Sequence, residues 1–360
     1  MTGGGLLDGV RVLDLGIWRP VPYATQLLVE LGAEVIKVEP PGGDPMRVFP
    51  GLFAILNAGK RSVAADLKDA EQRAVVLELA RETDVVTEGF RPGVAAKLGV
   101  GPDDVRAINP QAIYCSISGF GQDGPARDVS GHDLSYQARA GLLEPKGEGA
   151  PTVARPPVAD IAGGAYAAMA ICAALVRQRR TGEGEVIDVS MTDVLATWTG
   201  PVGSLENAAG EQSGGQMPGY GTFRASDGWI ALSVISEDHF WRALMEALGH
   251  AELAGLSYAQ RYPRGAELQA VISAAVRTRP RDELVDELGA RGVPIAAVLA
   301  QREMAADPQL AARGLFRTKP DGMNVMRHPV RLAEHPAAEL DDVPPVTPLS
   351  SGVPTWSARS

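Results

Sequence analysis

Three polar side chains stand where an apolar scaffold does not require them: His132, Asp160 and Glu237. His132 lies in Ser130-Gly131-His132-Asp133, in a loop after a glycine. An imidazole titrates near ~6.5, so it can act as base or acid at neutral pH. A loop histidine bonded to backbone is the plainer reading. Asp160 opens an apolar helix in Val158-Ala159-Asp160-Ile161-Ala162-Gly163-Gly164. It fits a helix N-cap, or a carboxylate beside a ligand that the two glycines let approach the helix start. Glu237, in Ser236-Glu237-Asp238-His239, has the same two readings, with Ser236 as the cap and the acids favoured by the helix dipole.

Two further segments could hold an anion. Asn57-Ala58-Gly59-Lys60-Arg61-Ser62 sets adjacent cations, Lys60 and Arg61, after a glycine and before a strand. That is an anion cradle at a sheet edge, or a solvated charged turn. Glu88-Gly89-Phe90-Arg91-Pro92-Gly93 follows the strand Asp84–Thr87, at the carboxyl end where α/β sheets place ligands. Arg91, between an aromatic ring and a proline, is stiffened there, or else caps a helix.

Positioning these groups requires a sheet. Val10–Leu15 and Ala33–Val38 read as buried parallel strands around a helix at Tyr23–Leu31, a βαβ unit. The first loop, Gly16-Ile17-Trp18-Arg19-Pro20, lacks the glycine fingerprint of dinucleotide binding. Strands at Ser62–Asp66, Asp84–Thr87, Ala112–Ile117 and Glu185–Val189 alternate with helices at Ala70–Arg81, Val94–Leu98 and Ile161–Arg179. This alternation predicts an α/β fold with a Rossmann-like large domain. A helix near Thr192–Asn207 leads into the glycine-dense stretch Gly210–Gly221, a loop or boundary. Asp227-Gly228 between Thr222–Arg224 and Trp229–Ile235 signals a hairpin. Helices at Glu237–Leu248, Gly265–Val276 and Pro280–Arg291 complete a smaller α+β domain. The expected division is 1–190 for the large domain, completed by 325–360, then a linker helix and glycine-rich loop at 191–216, and 217–324 for the small domain.

Composition sets the class. With 360 residues, 45% hydrophobic and 22% charged, the chain is an ordinary globular protein of two or three domains. A formal charge of -10 argues against a nucleic-acid partner. Cys115 and Cys172 alone make neither a disulfide framework nor a zinc cluster, so no metal is expected. No leader is visible in the N-terminal residues. Ile161–Val176 falls short of the ~20 residues of a membrane span, so it reads as a buried core helix. The expectation is a cytoplasmic protein with no membrane partner.

The ordered segments LGAEVIKVEPPGGD, NAGKRSVAADLK, EGFRPGV, GFGQDGP, SGHDLSYQA and VADIAGGAYAAMAICAAL span nearly the whole chain. Together they resemble the family III CoA-transferase group (CaiB/BaiF type), which also contains the α-methylacyl-CoA racemases. The resemblance implies an interlocked two-ring homodimer and an acyl-CoA thioester substrate, with no separate cofactor because CoA is part of the substrate. It implies that Ala65, Asp66, Leu67 and Lys68, with Gly89, Phe90, Arg91, Pro92 and Gly93, line the path of the adenine and phosphates. Gly131, Asp133 and Tyr136 border the thioester. Pro40 stands where the family often has an arginine, and Lys60, Arg61 and Arg91 are expected to compensate.

His132, Asp160 and Glu237 fall on the positions of the racemase proton-transfer residues. The expected activity is therefore inversion of the α-carbon of 2-methylacyl-CoA thioesters through an enolate, with a base on one face and an acid on the other. The helix start behind Asp160 is expected to help hold the enolate oxygen. The alternative is a CoA-transferase in which Asp160 is a nucleophile and His132 is not needed.

Overall fold

The computed structural model describes residues 5–143, 149–209, 217–319, 322, 324–340 and 342–358, with 201–209 as backbone only. Part of the glycine-dense stretch, residues 210–216, lies outside the described residues.

The chain divides into two compact units, Met1–Val202 with Gly314–Ser360, and Gly203–Arg313. The C-terminal return to the first unit thus begins at Gly314, ahead of the expected 325.

In chain order the first unit contains β1 (Arg11–Asp14), α1 (Pro20–Glu30), β2 (Glu34–Glu39), α2 (Pro50–Asn57), β3 (Arg61–Ala64), α3 (Ala70–Arg81) and β4 (Val85–Glu88). It continues through α4 (Val94–Lys97), α5 (Pro102–Ile108), β5 (Ile113–Ser118), α6 (Asp133–Arg139), α7 (Val158–Thr181) and β6 (Val186–Ser190) into α8 (Met191–Ala209). The six strands are all parallel, in the order β3-β2-β1-β4-β5-β6. Side chains alternate strictly between the two faces. Val12, Val35, Val85, Ile113 and Cys115 pack into one core with α1 and α7. Leu13, Ile36, Val63, Val86 and Tyr114 pack into the other with α3 and α5. Both faces are covered, which is why the strands read as apolar runs. Each buried aliphatic side chain contributes about 1.5–3 kcal/mol.

α7 is long and apolar enough to cross a membrane by composition, and its Ala162, Ala167, Ile171 and Leu175 are buried in the first core. Gly163 and Gly164 set its closeness to its neighbours. A Cβ at Gly163 would lie 2.6 Å from Met191 Cγ, and one at Gly164 2.7 Å from the Pro20 carbonyl oxygen. The glycines expected to admit a ligand instead admit α1 and α8.

The second unit holds β7 (Tyr220–Arg224), β8 (Trp229–Ser233), α9 (Asp238–Ala247), α10 (Tyr258–Arg261), α11 (Gly265–Val276), α12 (Arg281–Ala290), β9 (Ile295–Ala297) and α13 (Pro308–Ala312). Its antiparallel sheet runs β7-β8-β9. The expected hairpin forms: Ala225 N–H donates to the Gly228 carbonyl at 3.0 Å. Trp241, Leu244, Leu268, Ile272 and Leu284 fill its core. In the C-terminal return, β10 (Phe316–Thr318) pairs with β11 (Asn324–Met326).

Candidate active site

The strand order reverses between β1 and β4, and parallel strands open their carboxyl ends on one edge. Loops leaving such a pair diverge to opposite faces and leave a crevice. A cavity of about 500 Å³ occupies that place in the first unit. Trp18 lines it from the loop after β1, Gly89, Phe90, Arg91 and Pro92 from the loop after β4, and Gly119 and Phe120 from the loop after β5. The starts of α6 and α7 add Gly131, His132, Tyr136 and Asp160.

Asp160 is not the N-cap of α7; Pro157 occupies that position. The capping oxygen comes from elsewhere. Asp133 Oδ1 accepts the Ala159 N–H at 2.7 Å and the Asp160 N–H at 3.3 Å. The Asp160 carboxyl is thus free of local capping and faces the cavity. Burial, then the like charge of Asp133, push it up to about 6, against the pull of the Arg19 guanidinium. The helix amides expected to hold an enolate oxygen are already given to Asp133.

His132 is the N-cap residue of the short helix α6 rather than a free loop residue, and its carbonyl accepts the Ser135 N–H at 2.7 Å. Its ring is exposed and has no hydrogen-bond partner among the described residues. No described residue fixes its tautomer, unlike a base held by a second group. Tyr136 is fixed. Its hydroxyl donates to the Gly131 carbonyl at 2.6 Å, and its ring meets Phe120 edge-on at 5.2 Å. A Cβ at Gly119 would lie 2.2 Å from that ring, so only glycine fits there.

The expected anion cradle at Lys60 and Arg61 is not formed. Lys60 Nζ is fully buried, donating to Asp14 Oδ2 at 3.2 Å, the Pro22 carbonyl at 3.0 Å, Thr25 Oγ1 at 2.8 Å and Asn57 Oδ1 at 2.9 Å. Four acceptors around one ammonium leave no donor for a phosphate. Arg61 pairs with Glu34 and donates to the Thr355 carbonyl at 2.6 Å. Both cations are held in internal contacts, and neither compensates for Pro40.

Lys60 instead belongs to the floor of the crevice. Lys37 pairs with Asp44 at 2.9 Å and donates to the Gly16 carbonyl; Gly16 N–H donates to Asp14 Oδ1 at 2.8 Å. Burial raises the Asp14 pKa, but Lys37 and Lys60 outweigh it and hold the carboxyl below its ordinary value. This network pins the loop that carries Trp18, whose φ of 64° is the only positive value for a non-glycine among the described residues. Such strain persists only where surrounding contacts over-determine it.

Arg91 and Arg127 are the exposed cations of the cavity wall, and neither forms an ion pair among the described residues. Arg127, Trp18 and Phe120 are site residues that sequence reasoning missed. Gly93 turns the chain at φ 79° into α4. Ala65, Asp66, Leu67 and Lys68 follow β3 on the same carboxyl edge of the sheet but do not line this cavity.

Glu237 belongs to the second unit. It, rather than Ser236, is the N-cap residue of α9, and its Oε2 accepts the Ile235 N–H at 3.2 Å. The buried Arg261 holds that turn, donating to the Ile235 and Ser236 carbonyls at 3.3 Å and to Asp238 Oδ1 at 2.8 Å.

Comparison with known proteins fits this architecture. The profile of CoA-transferase family III matches residues 7–347. The acetyl-CoA:oxalate CoA-transferase of Acetobacter aceti is 34% identical, covering 91% of this chain and 90% of its own length. The succinate–glutarate CoA-transferase of Agrobacterium fabrum is 36% identical, covering 86% and 84%. The crystal structure of Rv3272 from M. tuberculosis, a probable fatty acyl-CoA transferase, superimposes with a TM-score of 0.86 at 33% identity, covering 95% of this chain and 97% of that one. A CaiB/BaiF family protein from Brucella suis gives a TM-score of 0.83 at 33% identity, covering 96% and 97%. On the profile match and these relatives, this chain belongs to CoA-transferase family III.

Proposed function

We propose that the chain transfers CoA between an acyl thioester and a free carboxylic acid, with Asp160 as the nucleophile. The observation that carries this reading is the Asp160 carboxyl. It lines the crevice at the strand reversal, is held at about 6 by burial and Asp133, and is not spent on capping. Such a group is ionised at neutral pH yet poorly solvated, which suits nucleophilic attack. The named relatives are CoA-transferases, which supports this alternative over the racemase expected from His132.

The chemistry balances with Asp160 alone as the covalent partner. Its carboxylate attacks the thioester carbonyl and expels CoA thiolate, leaving an acyl-aspartyl anhydride. The thiolate attacks the aspartyl carbonyl, releasing the donor acid and forming an aspartyl-CoA thioester. The acceptor carboxylate attacks that thioester, forming a new anhydride and freeing the thiolate again. Thiolate attack on the acyl carbonyl gives the new acyl-CoA and regenerates Asp160. Arg91 and Arg127 are the residues we assign to the CoA phosphates, with Gly89–Pro92 as the backbone beside them. Ala65–Lys68 are the proposed adenine edge, and the active form is proposed to be a homodimer. Exposed Tyr166, Met169 and Val176 on α7 and Trp198 on α8 support such a dimer.

Two assays on purified protein test the reading. One follows CoA exchange between acyl-CoA donors and free acids; the other follows deuterium uptake from D2O at the α-carbon of a 2-methylacyl-CoA. Exchange should be seen, and Asp160→Asn should lower it by on the order of 10⁴–10⁶-fold. Deuterium uptake without exchange overturns the transferase and restores the racemase.

A further inference from the structure

We propose that the Trp18 ring shields the covalent intermediates on Asp160 from water, and so sets how much acyl-CoA is transferred rather than hydrolysed. This rests on the CoA-transferase reading above.

Trp18 is held from both sides. Before it, Gly16 is fixed at both polar groups: its N–H donates to Asp14 Oδ1 at 2.8 Å, and its carbonyl accepts from Lys37 Nζ. The Trp18 N–H itself donates to Asp44 Oδ1 at 3.3 Å. After it, Pro20 and Val21 open α1 between two other walls of the crevice. A Cβ on Gly164, one helical turn beyond Asp160 on α7, would lie 2.7 Å from the Pro20 carbonyl oxygen. A Cβ on Gly89, in the loop after β4, would lie 3.0 Å from Val21 Cγ2. The chain leaving Trp18 is therefore clamped between the loop after β4 and the helix that carries Asp160.

The backbone at Trp18 favours another residue. Its φ of 64° suits glycine, and an indole lacks the short polar arm with which Asn or Asp recovers that cost. Packing does not explain the ring either. It is 42% exposed and belongs to none of the apolar cores among the described residues. It lines the cavity that Asp160 lines, with Phe90, Pro92, Ile117, Phe120 and Met191 as further apolar wall. A strained, pinned backbone thus holds a large apolar ring open to the reacting carboxyl, a placement that stability alone does not call for.

The reaction supplies the reason. The acyl-aspartyl anhydride and the aspartyl-CoA thioester each present an activated carbonyl. Water attacking the anhydride breaks one C–O bond, returns the donor acid and the Asp160 carboxylate, and releases two protons. One of these goes to the CoA thiolate, so the sum is hydrolysis of acyl-CoA to acid and free CoA. Transfer succeeds only where carboxylates and thiolate reach these carbonyls and idle water does not. An apolar ring offers water no acceptor, and the pinned loop keeps it from swinging aside.

The test compares wild type with Trp18→Phe, Trp18→Ala and Trp18→Gly, given acetyl-CoA with succinate, glutarate or butyrate as acceptor. Transfer conserves the thioester, whereas hydrolysis frees CoA thiol. The readout is the ratio of free thiol to new thioester, which a general loss of rate does not move. Wild type should release little thiol. Trp18→Ala and Trp18→Gly should raise the ratio by about tenfold or more, and Trp18→Phe should stay near wild type. Trp18→Gly should also unfold at a higher urea concentration than Trp18→Ala, because both lose the ring and only glycine accepts the left-handed backbone without strain. An unchanged ratio in both truncated variants overturns the inference and leaves the transferase standing. A raised KM for acetyl-CoA with an unchanged ratio overturns it also, since the ring would then hold CoA. So does greater stability of the alanine variant, because the backbone at residue 18 would then be free to turn the ring away. Deuterium uptake with no exchange removes the transferase reading, and this inference with it.

Discussion

One carboxylate closes the start of the helix that carries another: Asp133 Oδ1 takes the amide hydrogens of Ala159 and Asp160, at 2.7 and 3.3 Å. The same side chain accepts from Gln137 Nε2 through Oδ2 at 2.5 Å, so α6 and α7 are joined through it. Asp133 thereby does two things to Asp160. It frees that carboxyl from local capping, and its charge opposes ionisation.

These two effects separate by substitution. Asp133→Asn keeps a capping oxygen and removes the like charge. Asp160 must be ionised to attack, so the acid limb of the pH–rate profile should sit near about 6 in wild type and move to lower pH in Asp133→Asn. Burial remains the larger cause, so the shift should be partial. Asp133→Ala also loses the cap, at about 1 kcal/mol of stability. kcat/KM for CoA exchange across pH is the measurement, and an unmoved acid limb in Asp133→Asn would show that the two charges do not communicate.

His132 lines the same cavity as Asp160 but has no partner to orient its ring among the described residues. On the transferase reading, His132→Ala should lower CoA exchange by less than about tenfold, because general acid–base help contributes about 10²–10⁴-fold only where a proton moves. A loss within that larger range, together with loss of deuterium uptake, would assign His132 the proton-transfer role expected from the sequence.

The sheet was legible because burial on both faces leaves runs such as Val12-Leu13 and Val35-Ile36, whose meaning does not depend on distant residues. Asp160 and the Gly89–Pro92 loop were legible for a related reason: a strand's carboxyl end and a helix start are visible locally. Lys60 was misread because a lysine beside an arginine after glycine looks like a solvated or anion-binding turn, and its acceptors Asp14 and Thr25 stand 46 and 35 residues away. Arg127 carries no periodic signal, and only the fold brings it to the loop after β4. The glycines after Asp160 were recognised as a close approach, but the approaching groups are α1 and α8. Capping by Asp133 is a tertiary contact that spacing alone does not reveal.

Lys60 offers a test of that correction. Lys60→Met leaves Asp14 buried with one fewer cation, and breaking a buried pair from one side costs about 3–5 kcal/mol. Asp14→Asn combined with Lys60→Met should recover part of the loss, because neither charge is then left behind. KM for the CoA thioester should change little in any variant that folds. Urea unfolding and steady-state kinetics decide it. A KM raised tenfold with unchanged stability would return Lys60 to the phosphates.

Glu88 ends β4 beneath the loop that carries Arg91, and its Oε2 accepts the Phe90 N–H at 2.6 Å. Ser116 and Asp188 stand level with it on β5 and β6. Burial pushes the carboxyl up to about 7, against the hydrogen bonds from Ser116 and Phe90. The unfolded chain ionises this group near 4.5, so between that value and about 7 the native state holds a proton that the unfolded state has released. Stability therefore falls as pH rises through this window. At 1.36 kcal/mol per unit, the ionised form costs up to about 3 kcal/mol above it. Glu88→Gln keeps an oxygen for the Phe90 amide and cannot ionise. Relative to wild type it should gain stability on going from about pH 5 to about pH 8.5, because the other titrating groups are common to both proteins. Urea midpoints at the two pH values give that difference directly. Parallel pH dependence in the two proteins would mean that Glu88 ionises in the native state as readily as in water.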